Sequence, residues 1–259
     1  MRTLEQKNQN NPYIQKNIYS YMIYYKKLKP IQAITFDLDD TLYENTSVII
    51  KAEHSLIEFM HNQYPITKDV NKDFWRTQQK ARFLANPLLK NDMSELRRLS
   101  LESGFMALGL LGNELDEATK QCFEYFYFQR SNFTLNGNIH SLLKALSDRL
   151  PLVAITNGNV NLQQIGLDEY FSTCFKASIE LPMKPNKAMF DAAQVYLNIS
   201  PVNILHVGDN LEKDIYGALK AGYQTAWYAE DRKMNICNEK AHLLPHVQLS
   251  QLTQLLALI

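Results

Sequence analysis

The stretch Ala33-Ile34-Thr35-Phe36-Asp37-Leu38-Asp39-Asp40-Thr41-Leu42-Tyr43 decides the fold. Residues 31 to 36 are mostly apolar and β-favouring, and read as a short buried strand. Carboxylates crowd its end. Side chains alternate along a strand, so Asp37 and Asp39 fall on one side if the extended geometry persists. Two carboxylates so placed repel, and need a cation, a shared proton or deep solvent exposure. A solvated acidic turn is the plain alternative, but the apolar lead-in sets these acids at the mouth of a core strand.

Downstream the period changes. Val48, Ala52, Leu56 and Met60 recur every four residues, which is helical spacing, with Asn45 to Ser47 as candidate N-caps. Helical patterns continue over 70 to 84, from Ser94 to near Gly109 or Gly112, and over 116 to 130, where Phe123, Tyr125, Phe126, Tyr127 and Phe128 cluster. Residues 46 to 130 therefore read as an all-helical block, whose aromatics suit a core better than a ligand box. After Asn136, strands and helices alternate: helix 139 to 146, strand 152 to 155, a short helix 161 to 167, a strand 175 to 179, helix 186 to 197 and strand 204 to 207. A helix over 212 to 221 is closed by Gly222, strand 225 to 228 follows, and Ser250 offers a cap for a last helix to Ile259. This alternation argues for an α/β protein with a doubly wound parallel sheet, assembled from residues 30–45 and 131–259 around the helical block.

Upstream, residues 1 to 29 are rich in Asn, Gln, Tyr and Lys, and read as a loosely ordered extension, with a basic arm that packs on a partner as the alternative. Residues 18 to 25 could form an amphipathic turn or two. No apolar run follows the early basic residues as in a signal peptide, and none is long enough for a membrane helix. Lys plus Arg equal Asp plus Glu at 27 each, which argues against a general nucleic-acid or membrane-surface binder. Cys122, Cys174 and Cys237 are widely spaced and odd in number, as expected of free thiols in a reducing, cytoplasmic setting. No obligate protein partner is evident.

Three predicted strands end in polar clusters: Asp37/Asp39, then Thr156-Asn157-Gly158, then Asp209. Ligands of open α/β sheets bind outside the carboxyl ends of the strands, which brings these clusters together. Lys184 lies in Leu181-Pro182-Met183-Lys184-Pro185, where flanking prolines stiffen the loop. Asp37, Asp39, Asp209 and Asp214 around one mouth call for a hard cation with oxygen ligands, and Mg2+ fits best. Carboxylate, metal, hydroxyl and ammonium around one anion are the equipment for phosphoryl transfer.

The order Asp37-Leu38-Asp39-Asp40-Thr41, Thr156-Asn157, Lys184-Pro185 and Gly208-Asp209 with Asp214 resembles the motifs of the haloacid dehalogenase-like hydrolases. The resemblance covers roughly residues 31 to 259. It implies a Rossmann-like core with residues 46–130 as an inserted helical cap domain. It also implies Asp37 as nucleophile, Asp39 as general acid/base, Thr156 on phosphate, Lys184 beside phosphate and nucleophile, Asp209 on magnesium and Asp214 in the metal shell. Asn210 departs from the second acid that many relatives carry there. Within the family, residues 35–43, 151–159, 204–209 and 243–246 look like the YigB branch of bacterial phosphatases. That branch implies a small phosphomonoester substrate, either 5-amino-6-(5-phospho-D-ribitylamino)uracil or flavin mononucleotide. The alternatives are a metal-independent haloacid dehalogenase, a phosphomutase and a non-catalytic binding protein. Dehalogenases of the family lack a carboxylate at the position of Asp39.

Overall fold

The computed structural model describes residues 22–239 and 243–259. Its centre is a seven-stranded sheet in the order β1 (Ile23–Tyr24), β7 (Val247–Gln248), β6 (Gln224–Trp227), β5 (Ile204–Gly208), β2 (Ala33–Phe36), β3 (Leu152–Thr156), β4 (Thr173–Lys176). Every neighbouring pair is parallel except β1 with β7. Strand β2 is central, between β3 and β5. The chain passes from β2 to β3 and β4 on one side, then crosses to β5 on the other, so a topological switch point lies at the β2 end where Asp37 sits.

Alternation builds two cores. Ile34 and Phe36 of β2, with Leu152 and Ala154 of β3, pack under α5 (Gly137–Ser147) and the C-terminal 3-10 segment Leu252–Ala257. Ala33, Val153 and Ile155 face α6 (Ala188–Leu197) and Ala218 of α7 (Gly217–Lys220) on the other side. Covering both faces explains why the central strands read as unbroken apolar runs.

Residues 46–130 form α1 (Thr46–Gln63), α2 (Lys72–Ala85), α3 (Met93–Ala107) and α4 (Gly112–Arg130). Ala52, Leu56 and Met60 of α1 are buried against Leu101 and Phe105 of α3 and Ala118, Cys122 and Phe126 of α4, a core separate from those of the sheet. Among the clustered aromatics, Phe126 is buried while Phe128 is exposed, so the run is not one uniform apolar face.

Some expectations change. Tyr24 and Ile23 pair with β7, so the tail of the presumed loose extension is an edge strand rather than an amphipathic turn; residues 1–21, including most of the basic arm, lie outside the described residues. Residues 161–167 make hydrogen-bonded turns instead of a full helix: Asn161 Oδ1 takes the N–H groups of Gln163 and Gln164 as a helix cap does, but Gly166 turns at φ +69° and ends the run. Strand β4 begins earlier than residue 175, where its pairing with β3 sets it, and ends at Lys176. Asn45 is the N-cap residue of α1, as expected, but its side chain makes no capping bond; Glu44, one residue before it, accepts the Ser47 N–H instead. At the C-terminus Gln251 and Gln254 form a capping box, so the cap falls one residue beyond Ser250 and the segment is 3-10. Residues 211–216 wind in a wide π-type turn before α7, a form frequent at functional sites.

Candidate active site

Asp37 follows β2, and its backbone N–H is held by Val207 O of β5 at 2.9 Å. That register sets it beside Asp209, which follows β5. The third acid, Asp214, sits on the wide turn after β5. Asn210, which stands where many relatives carry a second acid, starts this turn with its side chain, accepting the N–H groups of Glu212 and Lys213. Asp37, Asp209 and Asp214 each offer a carboxylate oxygen within 4.8 Å of the others, and all three are buried. Gly208 permits this: a Cβ there would meet Asp214 at 2.4 Å.

Lys184 answers part of this charge. Its Nζ lies 2.6 Å from Asp37 Oδ1 and 2.6 Å from Asp214 Oδ1, and donates to Ile155 O at 2.7 Å. Burial disfavours the ammonium, but Asp214 and Asp37 outweigh it and raise its pKa. Burial raises the Asp37 carboxyl well above the usual range, against the pull of Lys184 and with the push of Asp214. Burial and then Asp214 push Asp209 up to about 7, although Arg232 stands 2.9 Å from Oδ2. Asp214 goes the other way: burial raises it, but Lys184 and His206 prevail and hold it well below the usual range. His206 is fully buried and shifted down by burial, so it is neutral near pH 7. Its Nε2 lies 3.4 Å from Asp214, which can only accept, so Nε2 carries the proton and Nδ1 accepts from the Thr35 hydroxyl at 2.8 Å.

Asp39 is separate. Its Oδ1 accepts from Tyr43 and Arg130, both at 2.5 Å, and its carboxylate stays outside the group of three. Tyr43 lies just before α1 and Arg130 ends α4, so one carboxylate ties both crossings between the sheet and the helical layer. Gly158 makes room for it, since a Cβ there would meet Asp39 Oδ2 at 2.3 Å. Thr156, at the end of β3, accepts the Gly158 N–H at 2.9 Å, leaving its hydroxyl proton for another partner. Asn157 is spent on the Lys184 loop: its Oδ1 accepts the Lys184 N–H at 2.8 Å and its Nδ2 donates to Lys184 O at 3.1 Å. The Lys184-Pro185 peptide is cis.

All eight sequence-derived site residues, Asp37, Asp39, Thr156, Asn157, Gly158, Lys184, Asp209 and Asp214, line one cleft of about 550 Å3 between the strand ends and the helical layer. Its upper wall includes Asn45, Arg97, Phe126 and Arg130. The Arg97 guanidinium covers the Phe126 ring at 3.5 Å, so no bare aromatic platform faces the cleft there. Asn45 Oδ1 and Arg130 Nη1 are buried and without a hydrogen-bond partner, which marks a wall made for a polar ligand. Sequence reasoning missed Arg130, Arg232 and Arg97 as site residues. Arg130 at a helix end reads as a dipole partner, and nothing local announces that it meets Asp39, 91 positions away.

The donor set suits a hard divalent cation: three oxygen donors converge, and the one lysine beside them leaves negative charge over. No helix among the described residues is long and apolar enough to cross a membrane.

Against known proteins, the model of the haloacid dehalogenase-like hydrolases matches residues 31–222. The chain is 35% identical over 239 residues to 5-amino-6-(5-phospho-D-ribitylamino)uracil phosphatase YigB of Escherichia coli, covering 92% of this chain and 100% of that protein. It is 28% identical over 202 residues to pyrimidine 5'-nucleotidase PynA of Streptococcus pneumoniae, covering 75% of this chain and 82% of that one. A solved structure described as a 2-haloacid dehalogenase from Pseudomonas syringae superposes with a TM-score of 0.82 at 29% identity, covering 88% of this chain and 97% of its own. The chain belongs to the haloacid dehalogenase-like hydrolases.

Proposed function

We propose that the protein is a magnesium-dependent phosphatase of small phosphomonoesters, and that its substrate is 5-amino-6-(5-phospho-D-ribitylamino)uracil or a close analogue. The observation that carries this reading is the meeting of Asp37, Asp209 and Asp214 with Lys184 at the switch point of the sheet, with Asp39 held apart beside them. The relative that is 35% identical supports the substrate class.

In this reading a carboxylate oxygen of Asp37 attacks phosphorus in line. The bond from phosphorus to the ester oxygen breaks, and that oxygen takes the proton of Asp39. The product is an aspartyl-phosphate. Water then gives its proton to Asp39 and attacks phosphorus, which frees inorganic phosphate and restores the Asp37 carboxylate. Lys184 offsets the repulsion between the anionic nucleophile and the anionic ester. The Thr156 hydroxyl, whose oxygen already accepts from Gly158, donates to a phosphoryl oxygen. Asn157 acts through the loop it holds, and Gly158 through the space it leaves for Asp39. Asp37, Asp209 and Asp214 would hold the magnesium ion, which supplies positive charge to phosphoryl oxygens. Residues 46–130 act as a cap that closes over the leaving group and excludes water. Three free cysteines suit a reducing cytoplasm.

The dehalogenase reading draws on the solved neighbour of that description. It leaves unexplained a carboxylate at position 39 and three converging acids. A panel of phosphate esters and 2-haloacids, each with magnesium or a chelator, separates the two. Ester hydrolysis that needs magnesium and is lost in Asp37→Asn is expected; halide release that survives chelation refutes the phosphatase.

A further inference from the structure

The helical layer holds a second space, about 90 Å3, between α1, α2 and α3. Leu56, Met60 and Leu101 give it an apolar floor. Glu53, Gln79 and Arg97 stand at its rim, and these same three residues line the catalytic cleft, so the two spaces share a wall. Glu53 is itself held by Lys72 at 2.6 Å and faces Arg97 at 3.9 Å. Trp75 forms part of the lining, and its buried indole N–H has no hydrogen-bond partner. A buried donor left so is costly, and an acceptor on a ligand would recover that cost.

We propose that this side pocket seats the far end of the substrate: a single uncharged heterocyclic ring bearing a carbonyl, joined to the phosphate by a hydroxylated chain. The proposal rests on the phosphatase reading for the phosphate end alone. The ester group lies at Asp37 and Lys184, the chain crosses the cleft past Arg97, and the ring edge enters the pocket. There a ring carbonyl accepts from Trp75, and a ring N–H donates to Glu53. Size decides between the two candidate leaving groups. A cavity of about 150 Å3 admits benzene, so a pocket of about 90 Å3 open at its rim takes the edge of one six-membered ring. A flavin offers the same pyrimidine edge, but its two further fused rings exceed this space and must stay outside it.

The test uses 5-amino-6-(D-ribitylamino)uracil, the dephosphorylated compound, titrated into the full chain. The chain has two tryptophans; Trp227 is fully buried and bonded to Asp209 O, so Trp75 is the one that reports on the pocket. A saturable change in tryptophan fluorescence is expected, with riboflavin binding about tenfold more weakly or worse, roughly 1.4 kcal/mol or more. Ser100 lines the pocket and bonds only within its own helix, to Leu96 O, so Ser100→Leu fills the space without removing a tertiary bond. It should weaken binding about tenfold, and lower by a similar factor the ratio of kcat/KM for the ribitylaminouracil phosphate to that for p-nitrophenyl phosphate. Trp75→Phe keeps an aromatic ring on α2 but removes the N–H; calorimetry should show binding weakened about threefold or more. Binding unchanged in both variants, riboflavin bound equally well, or no saturable binding overturns the proposal and makes the space a packing defect. Ester hydrolysis without this binding leaves the phosphatase reading standing and removes the pocket. Binding without hydrolysis of any ester does the reverse.

Discussion

The Lys184 ammonium is 1% exposed and sits between two carboxylates, so its replacement tests charge and shape together. Lys184→Met leaves Asp37 and Asp214 facing each other without a cation, and a buried charge stripped of its partner is costly. Lys184→Arg keeps the charge, but a planar fork cannot reproduce one nitrogen placed 2.6 Å from each of two acids and 2.7 Å from Ile155 O. Both variants are expected to lose about a hundredfold or more in kcat on p-nitrophenyl phosphate, in line with the loss of one electrostatic contact to developing charge. Steady-state kinetics on protein checked by circular dichroism decides it; normal turnover in both removes Lys184 from the chemistry. Asp37, Asp209 and Lys184 were legible in the sequence because each follows a strand directly or stands in a proline-flanked loop. Arg130 and Arg232 were not, since an arginine announces its partner only when the fold closes. Arg232 meets Asp209 from 23 positions away, with no period or spacing that links them.

At the scale of elements, strand β3 and the 181–185 loop act as one device. Asn157, one residue past the strand, takes both the N–H and the C=O of Lys184 with a single amide, as a neighbouring strand would. Asn157→Ala removes both bonds and leaves a buried N–H and C=O to find water. The expected cost is about 1–3 kcal/mol, which for a chain of this size lowers Tm on the order of 2–4 °C per kcal/mol. It should also lower kcat more than it raises KM, because the loop aims Lys184 rather than the leaving group. Differential scanning calorimetry with kinetics checks this, and a Tm within error of the parent denies the clamp. The same scale shows what patterning can reach. Continuous apolar runs identified β2, β3 and β5, and four-residue spacing identified α1, because burial on both sheet faces and on one helix stripe leaves a direct trace in sequence. Residues 161–167 read as a helix because Asn161 caps the segment as it would a helix, but Gly166 at φ +69° stops it after about one turn. The wide turn at 211–216 has no such trace, since its form follows from where Asp214 must sit beside Gly208.

Across the whole molecule, the acids at the switch point link stability to pH, and a cation held by them would link it to metal. Asp209 is raised by burial to about 7 in the folded chain, from an ordinary value of 3.8. A raised carboxyl binds its proton more tightly folded than unfolded, so its stabilising share is full below pH 3.8 and is lost as pH rises through about 7. Asp37, raised by burial, acts in the same direction. Asp214 is held low despite burial, chiefly by Lys184, so its share is present above 3.8 and is lost only as pH falls below that; it does not act in the neutral window. The metal-free protein should therefore lose several degrees of Tm between pH 5 and 8, at about 2–4 °C per kcal/mol. A cation held by these acids needs them ionised, so binding must displace the proton of Asp209 and the Arg232 guanidinium that stands against it. Saturating magnesium should accordingly raise Tm by several degrees at pH 8 and by much less at pH 5.5, which bound metal predicts through mass action. Asp209→Asn should flatten the pH dependence of the metal-free protein and abolish the magnesium effect together. Thermal unfolding of the parent and this variant at the two pH values, with magnesium or a chelator, measures all of it. A magnesium effect that is equal at both pH values, or that survives in Asp209→Asn, would move the ion away from these acids.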